Sequence, residues 1–186
     1  MAESKNNIIT HGLSGKVGDL IIFSQRNGKT IVSKVPQKAD RNSTKQLEHQ
    51  QKFQKAVLYA KNALLDPSLK EVYTTEAAKK DGITPYNIAV ADLLNAPKIE
   101  KIDLSSYTGK KGDLIKVQVY DDYKVEQVSV HIYNQDGSLV EEGTATPQGL
   151  DWVYTAKANN EELSGDKIII RATDTPANLV EQETLL

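Results

Sequence analysis

Residues capable of chemistry are scattered along this 186-residue chain, and their spacings do not build a reaction centre. Gly28-Lys29-Thr30 has the ending of a phosphate-binding loop. That loop needs a glycine five residues before its second glycine and a helix after it, whereas position 23 is Phe and a strand pattern follows. Gly12, Gly15 and Gly18, with Lys16 between them, could cradle an anion on backbone N–H groups, but evenly spaced glycines first of all mark a chain that needs unusual dihedrals. His11, His49 and His131 fall in a loop, a helix and a strand, without the short spacing a zinc site uses. Ser14 lies near His11 but lacks the Gly-x-Ser-x-Gly elbow, and closeness in sequence does not supply a positioned base. With no cysteine there is no disulfide, thiolate metal site or thiol nucleophile. The expectation is a protein that is not an enzyme and uses no cofactor.

Three constellations could bind rather than react. Asp121-Asp122, with Asp174 and Asn178, combine carboxylates and an amide in turns, where calcium is sometimes gathered; the same residues are default turn formers that cap their own backbone. Tyr120, Tyr123, Tyr133 and Tyr154 could form a sugar-binding platform, and their alternation equally fits edge packing. Lys34, Lys38, Arg41, Lys45, Lys52 and Lys55 could make a phosphate-facing stripe for nucleic acid, though few aromatics stand nearby to stack on bases.

The elements that must carry these residues change character near position 98. Asn27-Gly28 between Asp19–Arg26 and Lys29–Val35 predicts a type I′ hairpin, pairing Arg26 with Lys29, Ser24 with Ile31, Phe23 with Val32 and Ile22 with Ser33. Ile21, Phe23 and Val32 then share one apolar face, and Leu20, Ile22, Ile31 and Val35 the other. A two-stranded ribbon is marginal alone, so both faces need covering. Ser43 and Gln46 form a capping-box pattern opening a helix to about Leu65, with Phe53, Ala56, Val57, Ala60, Ala63 and Leu64 as its buried stripe. Asp66-Pro67 and Thr84-Pro85 each place a cap before a proline and start two further helices. From Ile99 the period becomes two, with candidate strands at 99–105, 113–120, 125–133, 139–146, 152–158, 167–173 and 179–185, and Trp152 as the expected core anchor.

The segment Gly165-Asp166-Lys167-Ile168-Ile169-Ile170-Arg171-Ala172-Thr173-Asp174 with Asn178 resembles the closing strands of bacterial Ig-like domains, with Ala177 where such domains often carry Gly. Gly12–Asp19, Arg26–Thr30 and the Ser43–Tyr59 helix resemble the start of a family of uncharacterised bacterial proteins of phage-like character. The first resemblance implies adhesion, binding or decoration rather than catalysis.

Charge is uneven as well. Residues 1–98 carry 15 Lys+Arg against 9 Asp+Glu, and 99–186 carry 8 against 16, a polarity that suits an acidic partner, head-to-tail self-association, or simply two solvated surfaces. The longest apolar run, Leu20 to Phe23, is too short for a membrane span, and no secretory signal is evident, which makes the cytoplasm the default expectation. The sequence therefore predicts an α+β protein: a β-hairpin and short helices over 1–98, then a seven-stranded Ig-like β-sandwich over 99–186. It predicts a structural or interaction protein, with a larger or virion-like assembly as its setting, whose contact residues are Ile21, Phe23, Val32, Lys34, Lys38, Arg41, Lys45 and Lys52. A protein partner or a second copy is expected, with nucleic acid and carbohydrate as alternatives.

Overall fold

A computed structural model describes residues 2–4, 7–37 and 43–186. The chain is α+β, and its described residues form three helices and three antiparallel sheets. It divides into two compact units, Met1–Gln50 and Gln51–Leu186, so the second and third helices group with the strands that follow them, where the sequence reading placed a division at 98. No helix among the described residues is long and apolar enough to cross a membrane.

In the first unit the expected hairpin forms from β3 (Ile21–Arg26) and β4 (Lys29–Lys34), with Phe23 opposite Val32 and Arg26 opposite Lys29 as the turn requires. Asn27 and Gly28 take φ of 50° and 71°, the left-handed pair a type I′ turn needs. The ribbon does not stay two-stranded. Two three-residue strands, β1 (Ala2–Ser4) and β2 (Gly15–Val17), add to its edges in the order β1-β4-β3-β2. Gly12, Gly15 and Gly18 all have positive φ, so the glycine spacing serves the path of the chain into and out of β2.

The second unit begins within α1 (Thr44–Ala63). Its start is a reciprocal capping box, Ser43 N–H donating to Gln46 Oε1 at 2.8 Å and Gln46 N–H to Ser43 Oγ at 3.3 Å. Helices α2 (Pro67–Ala78) and α3 (Pro85–Leu94) open on Asp66 and Thr84 with proline next, as the sequence predicts. Ala56, Ala60 and Ala63 of α1 share one buried cluster with Tyr73 and Ala77 of α2 and Ile88, Ala89 and Val90 of α3. Phe53, expected in that stripe, is 46% exposed.

Eight strands follow: β5 (Lys98–Asp103), β6 (Leu114–Tyr120), β7 (Val125–Tyr133), β8 (Leu139–Thr144), β9 (Thr146–Gln148), β10 (Asp151–Thr155), β11 (Lys167–Asp174) and β12 (Leu179–Leu185). They make two sheets, β5-β6-β10-β9 and β12-β11-β7-β8. The strand beyond the seven expected is β9, where the sequence suggested only a turn; Pro147 is tolerated there because β9 is an edge with a free outer side. Both sheets face one core. Ile115, Val117 and Tyr154 come from the first, and Val128, Val130, Ile132, Ile168, Ile170 and Ala172 from the second. Burial alternates residue by residue along β11, the mark of a strand with one face on the core. The large aromatic in this core is Tyr154 rather than Trp152, which is only half-buried and packs at the margin of the cluster.

Ile170→Ala should lower the stability of the second unit by about 2–5 kcal/mol, because a fully enclosed methyl-rich side chain leaves a cavity. Leu185→Ala, at a site 67% exposed, should change it by under about 0.5 kcal/mol. Denaturant midpoints of the two variants check the pair.

Candidate functional site

The β3–β4 register places Ile21, Phe23, Gln25, Thr30, Val32 and Lys34 on one face, joined by Val17 of β2 opposite Ile21. Gln25 Nε2 donates to Thr30 Oγ1 at 2.8 Å and to the Leu13 carbonyl at 2.6 Å, closing the turn end of that face. Thr30 is buried, whereas Ile21, Phe23 and Val32 are half-buried and Val17 is exposed. No apolar side chain of residues 1–50 belongs to either buried cluster among the described residues. Four of the expected contact residues thus come together, with Lys34 exposed at the edge of the apolar patch. Lys45 and Lys52 are exposed on α1, and Lys38 and Arg41 lie outside the described residues.

The second unit holds a polar junction that sequence reasoning missed. Tyr59 of α1, Tyr73 of α2 and Asp92 of α3 form a chain: the two phenol oxygens are 2.8 Å apart, and Tyr73 Oη donates to Asp92 Oδ2 at 2.6 Å. Tyr123, in the turn after β6, lies against Tyr73 with ring centroids 5.4 Å apart. Asn178, in the turn between β11 and β12, reaches the end of α3, its Nδ2 donating to the carbonyls of Asp92 (3.2 Å) and Leu93 (3.3 Å). Those carbonyls would otherwise end the helix unpaired. The same amide donates to Asp174 Oδ2 at 2.8 Å, and Asn178 N–H to Asp174 Oδ1 at 2.7 Å. Asn95 Nδ2 ties α3 to Asp122 Oδ2 at 2.8 Å. Two clefts open here. One, of about 420 Å³, is walled by the 94–98 segment and Tyr120–Asp122, and the other, of about 250 Å³, by Lys80, Ile88, Asp92, Asp122 and Tyr123.

Asp92 is only 2% exposed, and its Oδ1 has no hydrogen-bond partner; Asp121 Oδ1 is likewise buried and unpaired. Burial pushes the Asp92 carboxyl up to about 7, against the Tyr73 hydrogen bond, with the charges of Asp174, Asp121 and Asp122 adding to the rise. Asp174 is raised too, chiefly by burial. Burial likewise raises the Tyr73 phenol far above its ordinary range. One signal in the sequence marks the site: Asp92 is the lone carboxylate in the apolar run Ile88-Ala89-Val90-Ala91-Asp92-Leu93-Leu94.

The calcium candidates Asp121, Asp122 and Asp174 do converge here with Asn178, but their oxygens act in turns. Asp121 Oδ2 accepts the N–H of Tyr123 and Lys124 at 3.0 and 2.8 Å, and Asp174 caps Asn178. No set of three or more His, Asp or Glu side chains among the described residues is arranged to hold a metal ion. The four tyrosines of the sugar platform are dispersed: Tyr154 is in the core, Tyr123 packs on the helices, Tyr133 is half-buried and Tyr120 exposed.

A second group escaped the sequence reading. On the outer face of the second sheet, Ser129 Oγ lies 3.1 Å from His131 Nε2, and His131 Nδ1 lies 2.9 Å from Glu142 Oε2. The order matches nucleophile, base and orienting acid. However, β7 is paired on both sides, by β11 and β8, so its N–H groups are committed to the ladders and offer no cradle for an oxyanion. The group acts as a cross-strand hydrogen-bond network.

Among solved structures, the crystal structure of CopC from Methylosinus trichosporium OB3b is similar to this chain at 19% identity, covering 47% of this chain and 87% of that one with a TM-score of 0.35. No protein-family model and no curated protein matches the chain.

Asn178→Ala should cost the second unit about 1–3 kcal/mol, since it strands two helix-terminal carbonyls and half the pairing of a buried carboxylate. Equilibrium denaturation reads the loss, and an unchanged midpoint would remove Asn178 from the junction's support.

Proposed function

We propose that this chain is a non-enzymatic interaction protein that assembles with a protein partner through the apolar face of its N-terminal sheet. One observation carries the reading: a four-stranded sheet stands with Val17 exposed, Ile21, Phe23 and Val32 half-buried, and no apolar side chain of its unit in a buried cluster among the described residues. A sheet of this size needs a covered apolar face for stability, and an exposed apolar face is characteristic of a binding surface. Lys34 at its rim and the excess of Lys and Arg in residues 1–98 suit an acidic partner, including the acidic half of a second copy in a larger, virion-like assembly.

In this reading the second unit is an Ig-like sandwich that serves as scaffold. Its strand order supports this: labelled A to G with β8 as an added strand, the sheets run A-B-E-D and G-F-C, the arrangement of constant-type immunoglobulin sandwiches. A fold of this kind hosts many functions, so the activity is argued from the sheet face and not from the scaffold.

Light scattering after size exclusion tests the proposal. The chain, 20.5 kDa as a monomer, should run as an assembly or retain a partner from its native extract, and Phe23→Glu should reduce the assembled fraction at least tenfold by placing a charge in the apolar patch. Leu185→Glu, on the other unit, should leave it unchanged. A monomer at every concentration and salt, with no partner retained, would overturn the reading.

A further inference from the structure

The junction in the second unit has a property independent of the N-terminal sheet. We propose that Asp92 is a proton-operated latch: with a proton on its carboxyl it holds the end of α3 against the turns after β6 and β11, and on losing that proton it lets this contact open.

The surroundings of Asp92 suit a neutral group and oppose an ionised one. From α2 it receives one hydrogen bond, from Tyr73, whose phenol is also bonded to Tyr59 of α1. From the turn after β6 it faces the charges of Asp121 and Asp122, and from the end of β11 that of Asp174. Tyr123, in the turn that carries Asp121 and Asp122, and Lys80 line the 250 Å³ cleft together with Asp92. None of the ion pairs formed among the described residues includes Asp92. A carboxylate there would be desolvated, held by one donor, and repelled by three others.

Protonation changes the pairing as well as the charge. A carboxylate only accepts hydrogen bonds, so two buried carboxylate oxygens cannot satisfy each other, and Asp92 Oδ1 and Asp121 Oδ1 are both left without partners. A proton on Asp92 adds a hydrogen-bond donor to the site and removes one negative charge from the cluster. Loss of the proton falls on the parts that depend on this packing, namely the Asn178 bonds to the Asp92 and Leu93 carbonyls and the Asn95–Asp122 bond. Opening there would join the two clefts that share Tyr120 and Asp122 and bare their acidic walls.

The direction follows from linkage. A carboxyl whose pKa is higher folded than unfolded holds its proton in the folded state, so its contribution is complete at low pH and is lost as pH rises between about 4 and about 7. The slope approaches a tenfold change in the opening equilibrium per pH unit for one proton.

Hydrogen exchange from pH 5 to 8 tests the latch in the full chain, expressed as the exchange rate of the Leu93, Asn95 and Asn178 amides relative to the rate of an unstructured amide at the same pH, so that the common chemical effect of pH cancels. The ratio should rise at least tenfold from pH 5 to 8 and level off above neutrality. In Asp92→Asn, which keeps the acceptor for Tyr73 and carries a permanent donor, it should stay flat. The carboxyl 13C shift of Asp92 in the unaltered protein gives a readout free of mutation and should titrate near neutral pH. A carboxyl that titrates below pH 5, or an exchange ratio that rises equally in Asp92→Asn, would overturn the proposal.

Discussion

The two sheets of the second unit are held together by one apolar layer. Ile168, Ile170 and Ala172 of β11 lie opposite Ile132, Val130 and Val128 of β7, all fully enclosed, and they meet Ile115, Val117 and Tyr154 from the facing sheet. Register and burial enforce each other here: a one-residue slip of β11 would turn Lys167, Ile169 and Arg171 inward and send the enclosed residues out. Hydrophobic transfer supplies the stabilisation, and the pleat dictates which residues receive it.

The polar groups enclosed beside this layer are mostly paired, as burial requires. Tyr154 Oη and the Lys157 N–H both donate to Glu141 Oε2 at 2.8 Å, and Asp166 accepts from Asn160 Nδ2 at 2.7 Å and from the Gln135 N–H at 2.9 Å. Tyr107 Oη and Glu141 Oε1 have no partner, and Asp92 departs further from that rule. It is enclosed by helices and turns, has one donor, and sits among other acids. A buried group left half-satisfied by its neighbours is where a change of proton number has the largest structural effect.

The N-terminal unit follows the opposite logic. Its hydrogen-bond ladders are complete enough to define four strands, but hydrogen bonding alone contributes little net stability, and its apolar side chains stay at or near the surface. The contrast between a unit that encloses its apolar residues and one that presents them is the physical ground for the proposal that the first serves as scaffold and the second as contact surface.

Local signals sufficed for what local physics controls. The Asn27-Gly28 turn dictates the β3–β4 register, the Ser43–Gln46 box and the Asp66-Pro67 and Thr84-Pro85 starts set the helix beginnings, and alternation marks β7 and β11. Pairings between distant segments were not legible. The edge strands β1, β2 and β9 are three residues each, too short to show a period, and exist because a neighbour supplies their hydrogen bonds. Tyr154 and Trp152 share one face of β10, and which of them is enclosed depended on how far along the strand the opposite sheet covers it. The junction of Tyr59, Tyr73, Asp92 and Asn178 joins residues up to 119 positions apart and needed three helix phases and a turn to coincide. Sequence by itself thus determined element types, starts and local register, because those depend on neighbours within a few residues. Only the tertiary structure decided which polar groups were enclosed together and which apolar side chains stayed at the surface, because burial is a property of the assembled chain.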